Sequence, residues 1–533
     1  MRVHIRLLGT VLVLTLAVTL LAALGSPAAP GRRGGILRLA TQTDPILNPI
    51  IQTQAQSLIV NKNIFSTLVR PNEKFEIIPD LATRWEISPD GLVWTFYLRR
   101  GVRWHDGEKL TAEDVKFTMD AIASKMSPNP YRVTFQAVER VEVVDETTVR
   151  FVLSAPYGPL TAMLSFNVGI VPKHILEKVG FEGIPRFADF NTFKPIGSGP
   201  YKVTEVVPGD HITLEAFTGY FGGRPNIDKI IWKIIPDLNV QIAQMRSGEL
   251  DMIELESPGR VSALEGRQGL KVLATPWLSM PHIQLHTKRV PFDDPRVRLA
   301  MQYGLNREAI IKTQFRSLAE FPTGTIPPGL AWAFKPNLPQ ARYDPKKALE
   351  LLNQAGWRDT DGDGILDKVI NGVKTPFKFV LMSDSAADRV EIITAAQADW
   401  KKLGMDVSLL VLERAVWSQR VATQHDFDAT FNTRTYPPDP DQRNWYSCGG
   451  PFNYGEYCNA TVDRLLAAAA RGRTLEDRRR LYYQFQDVTV KDPPVLPLAY
   501  PRDIIVYTDR LQNVPTIHYR DLLLYIPQMW FAR

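Results

Sequence analysis

Residues 81–122 read LATRWEISPDGLVWTFYLRRGVRWHDGEKLTAEDVKFTMDAI, and their punctuation alone gives two strands and a helix. Trp85, Glu86 and Ile87 form a short strand, and Ser88-Pro89-Asp90-Gly91 is a turn in which Gly91 supplies the positive φ. Val93 to Leu98 is rich in β-branched and aromatic residues, the composition of a second strand. The chain stays extended from Arg99 to another Asp-Gly turn at Asp106-Gly107. Thr111 then opens a helix, because Thr-Ala-Glu-Asp offers an N-cap hydroxyl and two acids where the helix dipole favours negative charge. Val115, Phe117, Met119 and Ile122 are its apolar residues. Pattern alone gives a hairpin and a capped helix in a globular α/β chain.

The residue types carry more. The string W-x-x-S-x-D-G-x-x-x-T-F-x-L-R-x-G-V-x-W-H-D-G-x-x-L-T-A-E-D-V resembles the signature of bacterial extracellular solute-binding proteins of family 5, the peptide, oligosaccharide and nickel receptors of ABC importers. A second resemblance lies at residues 291–310, PFDDPRVRLAMQYGLNREAI, read as one capped amphipathic helix. Pro195 to Tyr201 (PIGSGPY) resembles the family's Gly-x-Gly-Pro-Tyr turn. Its Gly-Ser-Gly lacks the G-x-S-x-G spacing of a serine nucleophile, so a tight turn is the reading.

The resemblance implies a two-lobed α/β fold of the periplasmic-binding-protein type (type II, cluster C), with an extra small domain inserted in the first lobe. It implies a signal peptide at 1–28, lobe I from 29–69, 193–282 and 499–533, the inserted domain at 70–192, and lobe II at 283–498. Strands are expected at 36–40, 227–236, 250–255, 277–287 and 405–412. Helices are expected at 54–68, 240–246, 343–352 and 389–403, and a hairpin at 138–153.

Length, composition and compartment agree with an exported receptor. At 533 residues the chain needs more than one core, and 44% apolar with 23% charged residues is ordinary for a globular protein. Arg2 and Arg6, an apolar run from Leu7 to Leu24, and small residues at Ser26, Ala28 and Ala29 read as an export signal. An uncleaved anchor is the alternative. No cysteine lies near the signal, so a lipoprotein is not expected. The expected location is the periplasm or another extracytoplasmic space. The formal charge of +6 is dispersed, and the densest basic run, Arg471 to Arg480, is interleaved with Glu476 and Asp477. That run reads as a solvated helix face, so no nucleic acid is expected. The two cysteines, Cys448 and Cys458, would close a short loop as a disulfide worth about 2–3 kcal/mol.

The candidate ligand region runs from Asp428 to Cys458 (DATFNTRTYPPDPDQRNWYSCGGPFNYGEYC). Peptide-binding relatives carry an acidic residue just before a Pro-Asp-Pro-Asp-like run, where it pairs with the ligand's α-ammonium. Aligned on Asp439-Pro440-Asp441, that position holds Tyr436, or Thr435 if Pro437-Pro438 is an insertion, and neither is acidic. The candidate ligand residues are Asn432, Arg434, Tyr436, Asp439, Trp445 and, on the crossing strand, Trp277. Asp359, Asp361, Asp363 and Asp367 have calcium-like spacing, although Ile370 stands where an EF-hand needs Glu. A structural calcium in a surface loop is the metal candidate, and no other cofactor is expected. No HExxH, P-loop, dinucleotide fingerprint or triad spacing is present. The expectation is a monomeric receptor delivering peptides to an ABC permease with its ATPases. The alternatives are a receptor for oligosaccharides or another small solute, and a secreted hydrolase.

Overall fold

The computed structural model describes residues 33–532, except 53–54, 126, 128, 130–131, 133–134, 256–257, 277 and 518. The signal segment lies outside the described residues. Four sheets of four or five strands organise the chain. In the first, Ile36–Thr41 pairs in parallel with Lys229–Ile234, which continues antiparallel to His211–Ala216 and Tyr201–Val207. In the second, Tyr500–Thr508 lies antiparallel between Met252–Leu255 and Leu270–Pro276. The third runs in the order Asp406–Leu412, Lys378–Asp384, Ala429–Thr435, Ser279–Leu285 and Val495–Pro497. Its strand Ser279–Leu285 is buried at every residue, as a strand covered on both faces must be. This strand pairs with Ala429–Thr435 along its whole length, including the residues ahead of the expected boundary at 283.

The fourth sheet is the stretch first quoted. Ala82–Ile87 pairs with Val93–Leu98, which pairs with Thr148–Leu153, and Val138–Asp145 closes the antiparallel order. Trp94, Phe96 and Leu98 alternate into the core, and Phe96 meets Phe151 edge to face at 5.3 Å. Thr111 caps the helix Ala112–Ala123 as the sequence reading expects. Its hydroxyl accepts from Glu113 N, and Asp114 accepts in return from the Thr111 amide at 2.8 Å. The Asp114 carboxylate also accepts from Lys173 N at 2.9 Å, which ties the helix to the next segment.

His105 joins this domain to the Gly197-Ser198-Gly199 turn. Its Nδ1 accepts from Gly197 N at 3.2 Å, and its Nε2–H donates to the Gly199 carbonyl at 3.0 Å. The ring is therefore held neutral in one tautomer, and burial pushes it down to about 4. Gly197 and Gly199 lie against the carbonyl end of the helix Ala55–Ile64, where any Cβ would collide with the Ile64 backbone. That helix is shorter than the expected 54–68, because Val69–Pro71 already pairs with Ile77–Pro79.

The expected single helix at 291–310 is two helices, Pro295–Tyr303 and Arg307–Gln314. Gly304 ends the first, and the Asn306 side chain caps the second by accepting from Ala309 N at 3.0 Å. Both lie by the helix Ala387–Lys401, through Trp400 Nε1–H donating to the Met301 carbonyl and Asn306 N donating to Asp399.

Because Gly197 is kept small by a backbone neighbour, Gly197→Ala should lower the thermal midpoint by an amount matching about 1–3 kcal/mol of overpacking. An unchanged midpoint would mean that the turn does not sit against the Ile64 carbonyl.

Candidate functional site

The expected ligand region is built on Ala429–Thr435. In its antiparallel register with Ser279–Leu285, Arg434 faces Met280, Asn432 faces His282 and Thr430 faces Gln284. Cross-strand partners share a face, so these six residues form one side of the sheet. Phe431 and Ile283 form the other side, in the second lobe's core. Just beyond the strand, Tyr436 N donates to the Leu278 carbonyl at 2.7 Å. Trp445 and Tyr446 cover Arg434 on this side, and the loop that follows them is closed by the Cys448–Cys458 disulfide expected from the sequence.

Under this cover Arg434 is 2% exposed, and its guanidinium carbon lies 4.2 Å from the ring centre of Trp445, 4.6 Å from Tyr436 and 5.1 Å from Tyr446. It makes no ion pair among the described residues, and its Nε and Nη1 have no acceptor. Stacked rings return about 2 kcal/mol to a desolvated cation, less than the several kcal/mol that an unpaired buried charge costs. His282 lies close enough to feel that charge. Burial first, and Arg434 second, hold its ring down to about 4 against the Met280 carbonyl, to which its Nδ1–H donates at 3.0 Å. Tyr436 OH donates to the Thr325 carbonyl. Asn432 is half-buried and its Oδ1 accepts from Thr433 N at 2.8 Å, while Trp277 lies outside the described residues.

Asp439 has a different role from that expected. Its carboxylate receives Arg478 through two bonds, at 2.5 and 2.7 Å, with both side chains 4% exposed. Arg478 also donates to the Ala469 carbonyl at 2.9 Å and to Tyr482 OH at 3.2 Å. Asp439 thus has no charge left for a ligand ammonium. Arg478 corrects the reading of 471–480 as a solvated face, because it projects inward from the helix Leu475–Thr489. The pair lies in the wall of a cavity of ≈ 810 Å³. Its lining includes Phe75, Trp85, Trp94 and Thr161 from one part of the chain and Trp332 and Pro438 from another. That volume falls in the usual range for ligand sites. Near this cavity Gly158 N donates to the Ala470 carbonyl at 2.7 Å and Arg473 to that of Pro89.

Of the four aspartates, Asp359, Asp361 and Asp363 bring carboxylate oxygens within 4.8 Å of one another. Asp367 does not join them, because it is buried and accepts from the Thr360 amide and hydroxyl. Lys374 pairs with both Asp361 and Asp367. Sequence reasoning missed His282, Arg478 and Trp332. Only the alternation of Ser279–Leu285 could have pointed to His282.

These features have known counterparts. The family described as bacterial extracellular solute-binding proteins, family 5 Middle, matches residues 76–455, and the chain belongs to it. Among individual relatives, the chain is 31% identical to the oligopeptide-binding protein AppA of Bacillus subtilis, covering 95% of this chain and 93% of the relative. It is 28% identical to the dipeptide-binding protein of Escherichia coli, over 80% of this chain and 81% of the relative. The structure of B. subtilis AppA with a nonapeptide superposes with a TM-score of 0.79 at 30% identity, covering 94% of this chain and all of that one. NikZ of Campylobacter jejuni, solved with Ni(L-His), gives 0.79 at 26% identity, covering 93% and 99%.

Two outcomes follow. Arg478→Met should destabilise the protein by about 3–5 kcal/mol by stranding Asp439, and Asp439→Leu in the same chain should recover most of that loss. No recovery in denaturant unfolding would mean that the pair is not isolated in this way. For His282, the unfolded chain takes its proton near 6.5 while the fold withholds it until about 4, so stability falls as pH is lowered through that window. Between pH 7 and 4.5, His282→Gln should lose about 2–3 kcal/mol less than the unsubstituted protein. Equal losses would contradict a buried neutral ring.

Proposed function

We propose that the protein is the extracytoplasmic binding component of an ABC importer, taking up peptides between its lobes and handing them to a membrane permease. The observation that carries this reading is the similarity to the B. subtilis oligopeptide-binding protein along nearly the whole of both chains, solved there around a nonapeptide. The ≈ 810 Å³ cavity between the inserted domain and the second lobe supports it. Of the expected ligand residues, Arg434, Tyr436, Trp445 and Asn432 remain candidates. The protein acts as an exported monomer, powered by the ATPases of its permease, and itself hydrolyses nothing. Ser198 is buried in its turn, and both ring nitrogens of the neighbouring His105 are engaged by the backbone, which speaks against a serine nucleophile. No described helix is long and apolar enough to cross a membrane.

A receptor for oligosaccharides or another small solute is the second reading. It is favoured by the missing acidic anchor and by Trp85, Trp94 and Trp332 around the cavity, since flat rings stack on sugars as well as on side chains.

Thermal unfolding of residues 29–533 against mixed short peptides, neutral oligosaccharides and nickel tests the choice. A ligand at 100 times its Kd should add about 2.7 kcal/mol of stability. Stabilisation by peptides is the expected result. Stabilisation by oligosaccharides alone would establish the second reading, and turnover of any solute would overturn both.

A further inference from the structure

The charges of the segment 432–446 are equal in number but do not all pair with one another. It carries two arginines, Arg434 and Arg443, and two aspartates, Asp439 and Asp441. Asp441 is held by Arg443 through bonds of 2.8 to 3.3 Å. Asp439 is taken by Arg478, which reaches in from another helix. Arg434 is left over, buried and without an anion among the described residues.

Its surroundings are built around a missing acceptor. Three aromatic rings enclose the guanidinium and supply attraction but no negative charge, and Nε and Nη1 have no acceptor. The Tyr446 hydroxyl lies in the same cage, within reach of the guanidinium and of Tyr436, but it is neutral and leaves the charge of Arg434 unbalanced. The other titratable groups that feel the charge of Arg434 are His282, Tyr436 and Tyr446, none of them an anion at neutral pH. Arg434 and its three rings lie behind the cavity and not in its lining, and the strand of Arg434 continues into Pro438 and Asp439, which do line it. It lies two residues before Tyr436, where the resembling family's acid would stand, so the local charge is positive instead of negative.

We propose that Arg434 is the ligand anchor of this receptor and that it binds a carboxylate, so the solute is recognised by a negative group and not by a free ammonium. This rests on the reading of the cavity as the solute site. When the lobes part, the carboxylate enters the aromatic cage. When they close, it accepts from the guanidinium in place of water, and Tyr436, Trp445 and Tyr446 exclude solvent around the pair. The carboxylate has two sources in a peptide, the C-terminus and an acidic side chain, and one in a sugar acid or simple organic acid.

Calorimetric titration of the unsubstituted protein tests this. The probes are a tripeptide with both ends free, its N-acetyl form, its C-amide, the C-amide with Glu or Gln in the middle, and matched pairs of sugar acids with neutral sugars. The expected result is loss of about tenfold or more in affinity on C-amidation, with N-acetylation tolerated. Recovery in the Glu but not the Gln amide would assign the carboxylate to a side chain. Arg434→Gln should bind acid and amide alike, whereas Arg434→Lys should keep part of the preference. Binding of sugar acids but of no peptide would sink the peptide reading and leave the carboxylate anchor standing. The anchor is overturned if amide and acid bind equally, if N-acetylation abolishes binding, if only neutral solutes bind, or if no probe binds.

Discussion

The chain passes between its lobes twice, and the two passages lie side by side. Leu270–Pro276 ends in one sheet and Ser279–Leu285 begins in another, while Val495–Pro497 and Tyr500–Thr508 make the return. Pro276 is paired with Arg502, and Leu498 N donates to the Pro281 carbonyl at 2.9 Å. The strands on either side of each crossing follow one another closely, so the two sheets are joined by a short double connection. The ligand region depends on it, because Tyr436 N is bonded to the Leu278 carbonyl within one of the crossings. The strand that carries Arg434 is therefore tied to the connection between the lobes.

Electrostatics around the site follow from a few buried pairings. Asp439 and Arg478 neutralise each other in the cavity wall, and their bidentate geometry fixes the loop 437–442 against the helix Leu475–Thr489. Such a pair adds little net stability, since desolvation offsets attraction, but it sets position firmly. Neutral His105 and His282 perform similar positioning without charge, each donating to a backbone carbonyl. Gly158 and Pro89 are bonded to Ala470 and Arg473, which ties residues distant in sequence together beside the cavity.

Much of this architecture was legible in the sequence where the cause was local. The Thr111 capping box, the hairpin around Asp145, the turn at Gly197–Gly199 and the Cys448–Cys458 bridge each follow from residues a few positions apart. The break at Gly304 was missed because Pro295 to Gln314 keeps an apolar face across it. Arg434 stood out as a lone cation among aromatics, but its burial depends on a covering segment that pattern alone does not place. Arg478 was misread for a similar reason. Its partner lies 39 residues away, and a basic run interleaved with acids looks the same whether one member turns inward or none does. Asp367 belongs to the calcium-like spacing but turns to Thr360 instead, a choice made by the strand Asp367–Ile370 and not by the spacing.

A crystal structure of the protein saturated with a bound solute tests the central claim most directly. The account predicts solute density between the lobes, with an anionic oxygen about 2.7–2.9 Å from Arg434 and with the rings of Tyr436, Trp445 and Tyr446 closed around the contact. Solute bound elsewhere, with Arg434 satisfied by ordered water alone, would contradict it.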